Sequence, residues 1–400
     1  MNKKLFLSII TIFLSFIYIG CSKGTNNNYQ NDTTTPSSKT VRNNSLNKNE
    51  SKIPKDYIDN GIFSDYYDEA YEKLKSMTLE EKIGQLIFAR CPSEDAESII
   101  SKYQFGGVVL FASDTEGKTK EQLKQDITSL QNASKIPMLI GVDEEGGTVV
   151  RVSSNPNLRS EKFKSPQELF AEGGFEKIAS DTKEKCELLN SLGINVNLAP
   201  VADVSTDPND FIYNRSFGQD AEKTADFVET VVKTSSENNI SSVLKHFPGY
   251  GNNVDTHTGI AIDDRNYSTF ETSDFIPFKR GINSKVQGVL VSHNIVKSMD
   301  ENYPASLSPS VHDILRNKLG FTGVIMTDDL AMDAISLYTN GQDAAVLAIL
   351  AGNDILILSD YETSYNNLLS AAKNGQLDLS TIDKAVFRVL AWKYSANIIK

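Results

Sequence analysis

A (β/α)8 barrel of the TIM type, α/β in class and a single domain over residues 56–400, is the fold this sequence predicts. Three observations predict it. Short runs dominated by Val, Ile, Leu and Met recur eight times. Amphipathic stretches of ten or more residues separate most of them. Unusual polar residues cluster just after the runs, at the end of the strands where a barrel keeps its chemistry.

In chain order the predicted strands are Ile83–Ala89, Gly107–Phe111, Pro137–Asp143, Ile194–Pro200, Val243–His246, Val286–His293, Gly323–Thr327 and Ile355–Leu358. Each is short and nearly continuous in apolar character, as strands buried on both faces are. The helix-like segments between them include Lys120–Gln131, Ala221–Glu237, Thr269–Ile282, Ser308–Lys318 and Gly341–Ala351. A last helix, Ser380–Tyr394, closes the chain. A doubly wound sheet shares this alternation and is the alternative fold.

Composition narrows the function. Forty basic residues against fifty-two acidic ones give a net charge of −12, which argues against a nucleic-acid binder with its basic face. Three cysteines exclude a disulfide scaffold. Cys91, just past a strand, and Cys186, in a helix, are expected as buried free thiols.

The residues ahead of the barrel read differently. Lys3 and Lys4 precede an apolar run, Leu5–Gly20, that stops at Cys21, the pattern of a secretory signal. A small residue followed by cysteine resembles a bacterial lipobox, so residues 1–21 are expected to be a lipoprotein signal with Cys21 lipidated. Tyr18 stands where Leu is usual. Residues 22–55 are expected to be a disordered linker, since eighteen of these 34 residues are Asn, Ser or Thr. Such a segment buries too little surface to offset its ordering entropy. The expected location is extracytoplasmic, lipid-anchored to the bacterial cell membrane.

The polar residues at strand ends carry the chemistry. Asp143, Glu144 and Glu145 follow the third strand and Asp203 the fourth. Lys245 and His246 end the fifth, His293 ends the sixth, and Asp328 and Asp329 follow the seventh. Of four histidines, only His312 lies away from this set; it falls in a helix and reads as a surface residue. Asp255 and His257, two apart on the loop after the fifth strand, share a side if that backbone is extended. A carboxylate beside an imidazole fixes its tautomer and raises its proton affinity, so such a pair can move protons near neutral pH. On spacing alone the pair fits a loop pin equally. Asp328 reads as a nucleophile or base, or as an ion-pair partner for Lys245 or Arg215. Asp329 points elsewhere if the chain stays extended. Lys245 and Arg215 also suit sugar hydroxyls, which need donors set among carboxylate acceptors.

Several segments together resemble one family. They are Met77-Thr78-Leu79-Glu80-Glu81-Lys82-Ile83-Gly84-Gln85-Leu86, Asp143-Glu144-Glu145-Gly146-Gly147 with Val149-Val150-Arg151, Asn197-Leu198-Ala199-Pro200-Val201-Ala202-Asp203-Val204, Asn214-Arg215-Ser216-Phe217-Gly218 and Thr327-Asp328-Asp329-Leu330. In this order they resemble the family 3 glycoside hydrolases over roughly residues 70–395. Lys245-His246-Phe247-Pro248-Gly249 followed by Asp255-Thr256-His257 resembles its β-N-acetylglucosaminidase (β-hexosaminidase) branch. Two departures stand out. Tyr250 occupies a position where His is usual, and the loop from Gly251 to Asp255 is about one residue short.

The resemblance implies a retaining exo-hydrolase on a (β/α)8 barrel. It implies Asp328 as nucleophile and His257, paired with Asp255, as acid/base. It implies Asp143, Arg215, Lys245 and His246 as sugar-holding residues, with Asp203 and His293 close by. The expected partner is an N-acetylglucosamine-containing glycan; no metal or organic cofactor is expected. Alternatives are a β-glucosidase or xylosidase, an N-acetylglucosaminide phosphorylase, a metal-dependent barrel hydrolase, or a sugar-binding lipoprotein without activity.

Overall fold

A computed structural model describes residues 53–253, 261–331, 335, 338–339, 341 and 343–400. Asp255, His257 and Cys21 lie outside the described residues, as does nearly all of the expected linker.

The barrel is borne out. Its strands are β1 (Ile87–Arg90), β2 (Gly107–Leu110), β3 (Leu139–Val142), β4 (Val196–Asn197), β5 (Ser241–Phe247), β6 (Gly288–Val291), β7 (Val324–Thr327) and β8 (Leu356–Leu358). Neighbours pair in parallel in the order β8-β1-β2-β3-β4-β5-β6-β7. A parallel bridge from Met326 to Ile355 brings β7 to the start of β8, so the sheet nearly closes. Phe88 fills the barrel floor and is fully buried. Gly107 and Gly141 face it; a Cβ on Gly141 would sit 2.5 Å from the Phe88 ring. Large against small is how a narrow barrel interior packs.

The surrounding helices start on side-chain caps. Thr119 opens Lys120–Ala133 and Ser165 opens Pro166–Leu192, each with a reciprocal capping box. Asp220 caps Ala221–Glu237. The long helix Pro166–Leu192 kinks at Gly173–Gly174 and was not resolved as an element by its weak periodicity.

Three expectations need correction. Residues 83–85, expected to begin the first strand, belong to the helix Leu79–Gln85, which the Thr78–Glu81 capping box starts. The strand begins only at Ile87. His312 is buried, with Nδ1 2.8 Å from the Ser308 carbonyl oxygen, since its helix turns that face inward with Val311 and Leu315. Ile53, assigned to the linker, is buried in the hydrophobic core. A two-strand ladder, Ile262–Asp263 with Ile295–Val296, lies outside the barrel sheet and had no signal beyond two residues of each strand. Cys186 is a buried free thiol as expected, and Cys91 is free and half-buried.

Candidate active site

The C-terminal ends of β3, β5 and β7 converge. Asp143, Arg215, Lys245, His246 and Asp328 face one cavity of about 490 Å³, a volume in the range of small-molecule sites. A larger cleft of about 750 Å³ lies beside β1 and β2 near Cys91 and Asp126. None of the described site residues lines it.

One wall of the cavity is a buried charge cluster. Lys245 Nζ lies 2.5 Å from Asp143 Oδ1 and 2.6 Å from Glu145 Oε1. Arg215 grips Glu145 with both prongs, Nη2 to Oε1 at 2.7 Å and Nε to Oε2 at 3.1 Å. The bidentate fork sets the guanidinium plane. Burial pushes the Glu145 carboxyl up, but the Lys245 and Arg215 charges outweigh it and bring it down to about 2. Burial likewise pulls the Lys245 ammonium down, and Asp143 and Glu145 more than restore it. Glu145, Lys245 and Arg215 are therefore held in their charged forms. Lys245 and Arg215, weighed as partners for Asp328, pair with Asp143 and Glu145.

His246 is fixed from both sides. Arg215 Nη2 lies 3.2 Å from its Nε2. A guanidinium only donates, so Nε2 accepts and the ring proton sits on Nδ1. That proton faces Asp203 Oδ2 at 2.7 Å. Asp203 also accepts from the backbone N–H groups of His246, at 3.0 Å, and Tyr250, at 2.7 Å. It lies behind the cavity wall, so it orients His246 and the start of the β5 loop. Tyr250 is buried, its ring edge-on to His246 and 5.7 Å from the ring of Phe211 at the cavity rim.

Asp328 continues β7 at the opposite side. Its N–H donates to the Val291 carbonyl oxygen at 3.2 Å, and its Oδ1 accepts from the Asp329 N–H at 2.9 Å. Asp329 turns towards β8, as strand alternation requires; its carboxylate accepts from the N–H of Ser359 at 3.1 Å and from the Ser359 hydroxyl. His293 is buried beneath this turn. Its Nε2 donates to the Asp329 carbonyl oxygen at 3.0 Å, and Ser306 Oγ lies 2.8 Å from Nδ1. His293 thus supports the Asp328–Asp329 backbone from below the cavity wall.

Residues 78–392 match the family described as Glycosyl hydrolase family 3 N terminal domain. The chain belongs to that family. As a family 3 member it is a glycoside hydrolase. It is 31% identical over 291 residues to a "Beta-hexosaminidase" of Nitrosomonas eutropha, covering 70% of this chain and 80% of the relative. It is 28% identical over 325 residues to "Beta-hexosaminidase LpqI" of Mycobacterium tuberculosis, covering 78% and 82%. Among solved structures, a family 3 β-N-acetylglucosaminidase from Paenibacillus sp. aligns with a TM-score of 0.75 at 29% identity. The chain spans 63% of that protein and 81% of its own length is covered.

Glu145 is named in the sequence only as one of the polar residues after the third strand, with no role assigned. Glu145 joins Lys245 to Arg215, although it is buried and is not among the residues lining this cavity. Its signal was present, because Asp143 and Glu145 are two apart and share a side where the chain is extended. Glu144, between them, turns away and accepts the N–H groups of Arg151, Val152 and Ser153 at 2.7–3.1 Å. It pins the loop that brings Arg151 to the cavity. Among the described residues, no three His, Cys, Asp or Glu side chains converge as a metal site.

Proposed function

We propose that the chain is a retaining, exo-acting β-N-acetylglucosaminidase that removes terminal N-acetylglucosamine from cell-wall-derived or chitin-type glycans. The observation that carries this reading is the opposition of Asp328 to the ion-paired Asp143–Lys245–Glu145–Arg215 wall across one small cavity. The wall supplies fixed donors and an acceptor for hydroxyls of one terminal sugar. The β-hexosaminidase names of the relatives support the choice of sugar.

In this mechanism an Asp328 carboxylate oxygen attacks the anomeric carbon. The bond to the leaving oxygen breaks, and protonated His257, held by Asp255, gives that oxygen its proton. The resulting glycosyl ester is then hydrolysed. His257, now neutral, takes a proton from water, whose oxygen attacks the same carbon and releases Asp328. Two inversions retain the configuration. An imidazole acid/base adds no second anion beside Asp328, which suits a leaving sugar that carries a carboxylate.

A panel of aryl β-glycosides, assayed with and without phosphate, tests the reading. The expected result is hydrolysis of the N-acetylglucosaminide with the sugar released as its β-anomer. Preference for the glucoside or xyloside would overturn the sugar assignment, and a sugar 1-phosphate as main product would overturn hydrolysis.

We further propose that Cys21 carries a lipid anchor outside the cytoplasm. Cys21→Ser should then move the protein from the membrane fraction to the medium. Continued membrane binding with an intact N-terminal segment would identify a signal anchor instead.

A further inference from the structure

Arg265 is not among the residues that line the cavity, yet it touches both described limbs of the loop that follows β5. Its Nη2 donates to the Gly249 carbonyl oxygen at 3.1 Å on the outgoing limb. Its Nε and Nη2 donate to Asp263 Oδ2 on the returning limb at 2.9 and 2.7 Å. Its Nη1 donates to both Asp274 oxygens, at 3.0 and 3.1 Å, on the next helix. Asn253 completes the tie from the outgoing side, donating to Asp263 Oδ2 and to the Tyr250 carbonyl oxygen, each at 2.8 Å. Asp263 and Asp274 are both buried, and the Phe270 ring lies 4.3 Å from the Arg265 guanidinium carbon.

The chain is shaped to admit this cluster. Gly251 has φ +58°, and a Cβ there would come within 2.4 Å of the Arg265 guanidinium carbon. A Cβ on Gly249, at φ +124°, would come within 2.3 Å of Asp274 Oδ1. The returning limb is also laddered to the chain just past His293, with Ile295 N–H donating to the Ala261 carbonyl oxygen at 2.9 Å. The outgoing limb is thus held where it leaves β5 and the returning limb where the chain leaves β6. A guanidinium can serve three acceptors in one plane; a lysine ammonium on this stem cannot reproduce that fork.

We infer that the Asp263–Arg265–Asp274 cluster is a positioning device for proton transfer, fixing where the chain leaves Asn253 and where it returns at Ala261. The inference rests on the proposed Asp255–His257 acid/base pair, which lies between those two points. Arg265 is a positioning residue: it is not in the cavity wall, and it acts through the segment whose ends it holds.

The test uses the full chain and a series of aryl N-acetylglucosaminides whose leaving groups run from dinitrophenol to methylumbelliferone. A good leaving group departs with little acid help, whereas a poor one needs the proton. Arg265→Lys and Arg265→Gln should lose kcat/KM mainly on the poor leaving groups, by on the order of 10²-fold, the lower end of what general acid catalysis contributes. The loss should fall in kcat with little change in KM, and Lys should not rescue it. A uniform loss across the series, or none, overturns the inference, because a merely structural residue would not steepen leaving-group dependence. His257→Ala is run alongside. If it fails to steepen the dependence, the acid/base reading itself falls. If it does and the Arg265 variants do not, only the positioning inference falls. Should the Arg265 variants not fold, Asn253→Ala cuts the same tie from the other limb, and the same steepening, smaller in size, is required of it.

Discussion

Two buried charge clusters sit at opposite ends of this barrel and do different work. At the C-terminal end, Asp143, Glu145, Lys245 and Arg215 pair with one another and border an open cavity. At the N-terminal end, Asp354 just ahead of β8 pairs with Arg316 and with Arg388 Nη1 at 2.8 Å, and its Oδ2 accepts the Ile325 N–H at the start of β7 at 2.8 Å. Asp354 borders no part of the cavity. Burial drives Arg316 down to about 10, since Asp354 only partly offsets the loss of water. The lower cluster joins β7 to β8, where the sheet has only one bridge, and so it closes the barrel. The upper one keeps charges fixed where a ligand can reach them. Similar chemistry serves stability where nothing can enter and binding where something can, which is the division of labour between barrel faces.

The largest expected effect is at the cavity alone. Asp328→Ala should lower kcat by roughly 10⁴–10⁶-fold, as loss of a nucleophile does, while thermal unfolding stays near that of the wild type. A residual rate within tenfold of wild type would remove Asp328 from the chemistry.

Asp354→Ala tests the opposite end. It leaves two half-buried arginines without their buried carboxylate, a loss below the roughly 3–5 kcal/mol of breaking a fully buried pair. Denaturant unfolding should register that loss, while KM measured on the folded fraction stays unchanged. A changed KM would mean that the two clusters communicate.

Glu145→Gln joins the two behaviours. It should destabilise by leaving Arg215 without its carboxylate and Lys245 with Asp143 alone, and it should also weaken sugar binding by loosening both. The pH dependence has a definite sign. The Glu145 carboxyl is held at about 2, below its ordinary 4.5. Its contribution is therefore fully present above about 4.5 and lost as pH falls towards 2. Unfolding titrations should show that part of the acid destabilisation disappearing in the variant. An identical acid limb in both proteins would contradict the assigned charge state.

Smaller effects are expected from the ligand side of the wall. Arg215→Ala and Lys245→Ala each remove hydrogen bonds from a charged donor, worth about 1.5–3 kcal/mol, and kcat/KM should fall by roughly 10- to 100-fold. Silence of both would move the sugar site elsewhere. Gly141→Ala presses a methyl on Phe88 in the barrel floor and should cost about 1–3 kcal/mol of stability.

The two ends were not equally legible in the sequence. The strands stood out because those buried on both faces leave continuous apolar runs. The upper residues stood out because polar groups directly after such runs are rare, and because the family motifs repeat them in order. Pairings were not legible: Lys245 and Asp143 are 102 residues apart, and no spacing rule joins them. Arg316 and Asp354 were passed over for the same reason, being ordinary charges on a helix and before a strand. His312 was misread because a helix with a continuous apolar face can carry an imidazole inward when its Nδ1 finds a carbonyl. The first strand was placed early because Ile83 looked like strand, although Thr78-x-x-Glu81 was a helix-start signal already in view.

The central claim is that Asp328 becomes covalently attached to the sugar and that His257 supplies the proton transfers. Intact-protein mass spectrometry of His257→Ala turning over dinitrophenyl N-acetylglucosaminide tests it most directly. The first step needs little acid and the second lacks its base, so the protein should gain the mass of one N-acetylhexosamine, mapped to Asp328. Azide, which needs no base, should discharge it as the β-glycosyl azide. A label on Asp329 or Glu145, an α-configured azide, or no enzyme-bound sugar at all would contradict the account.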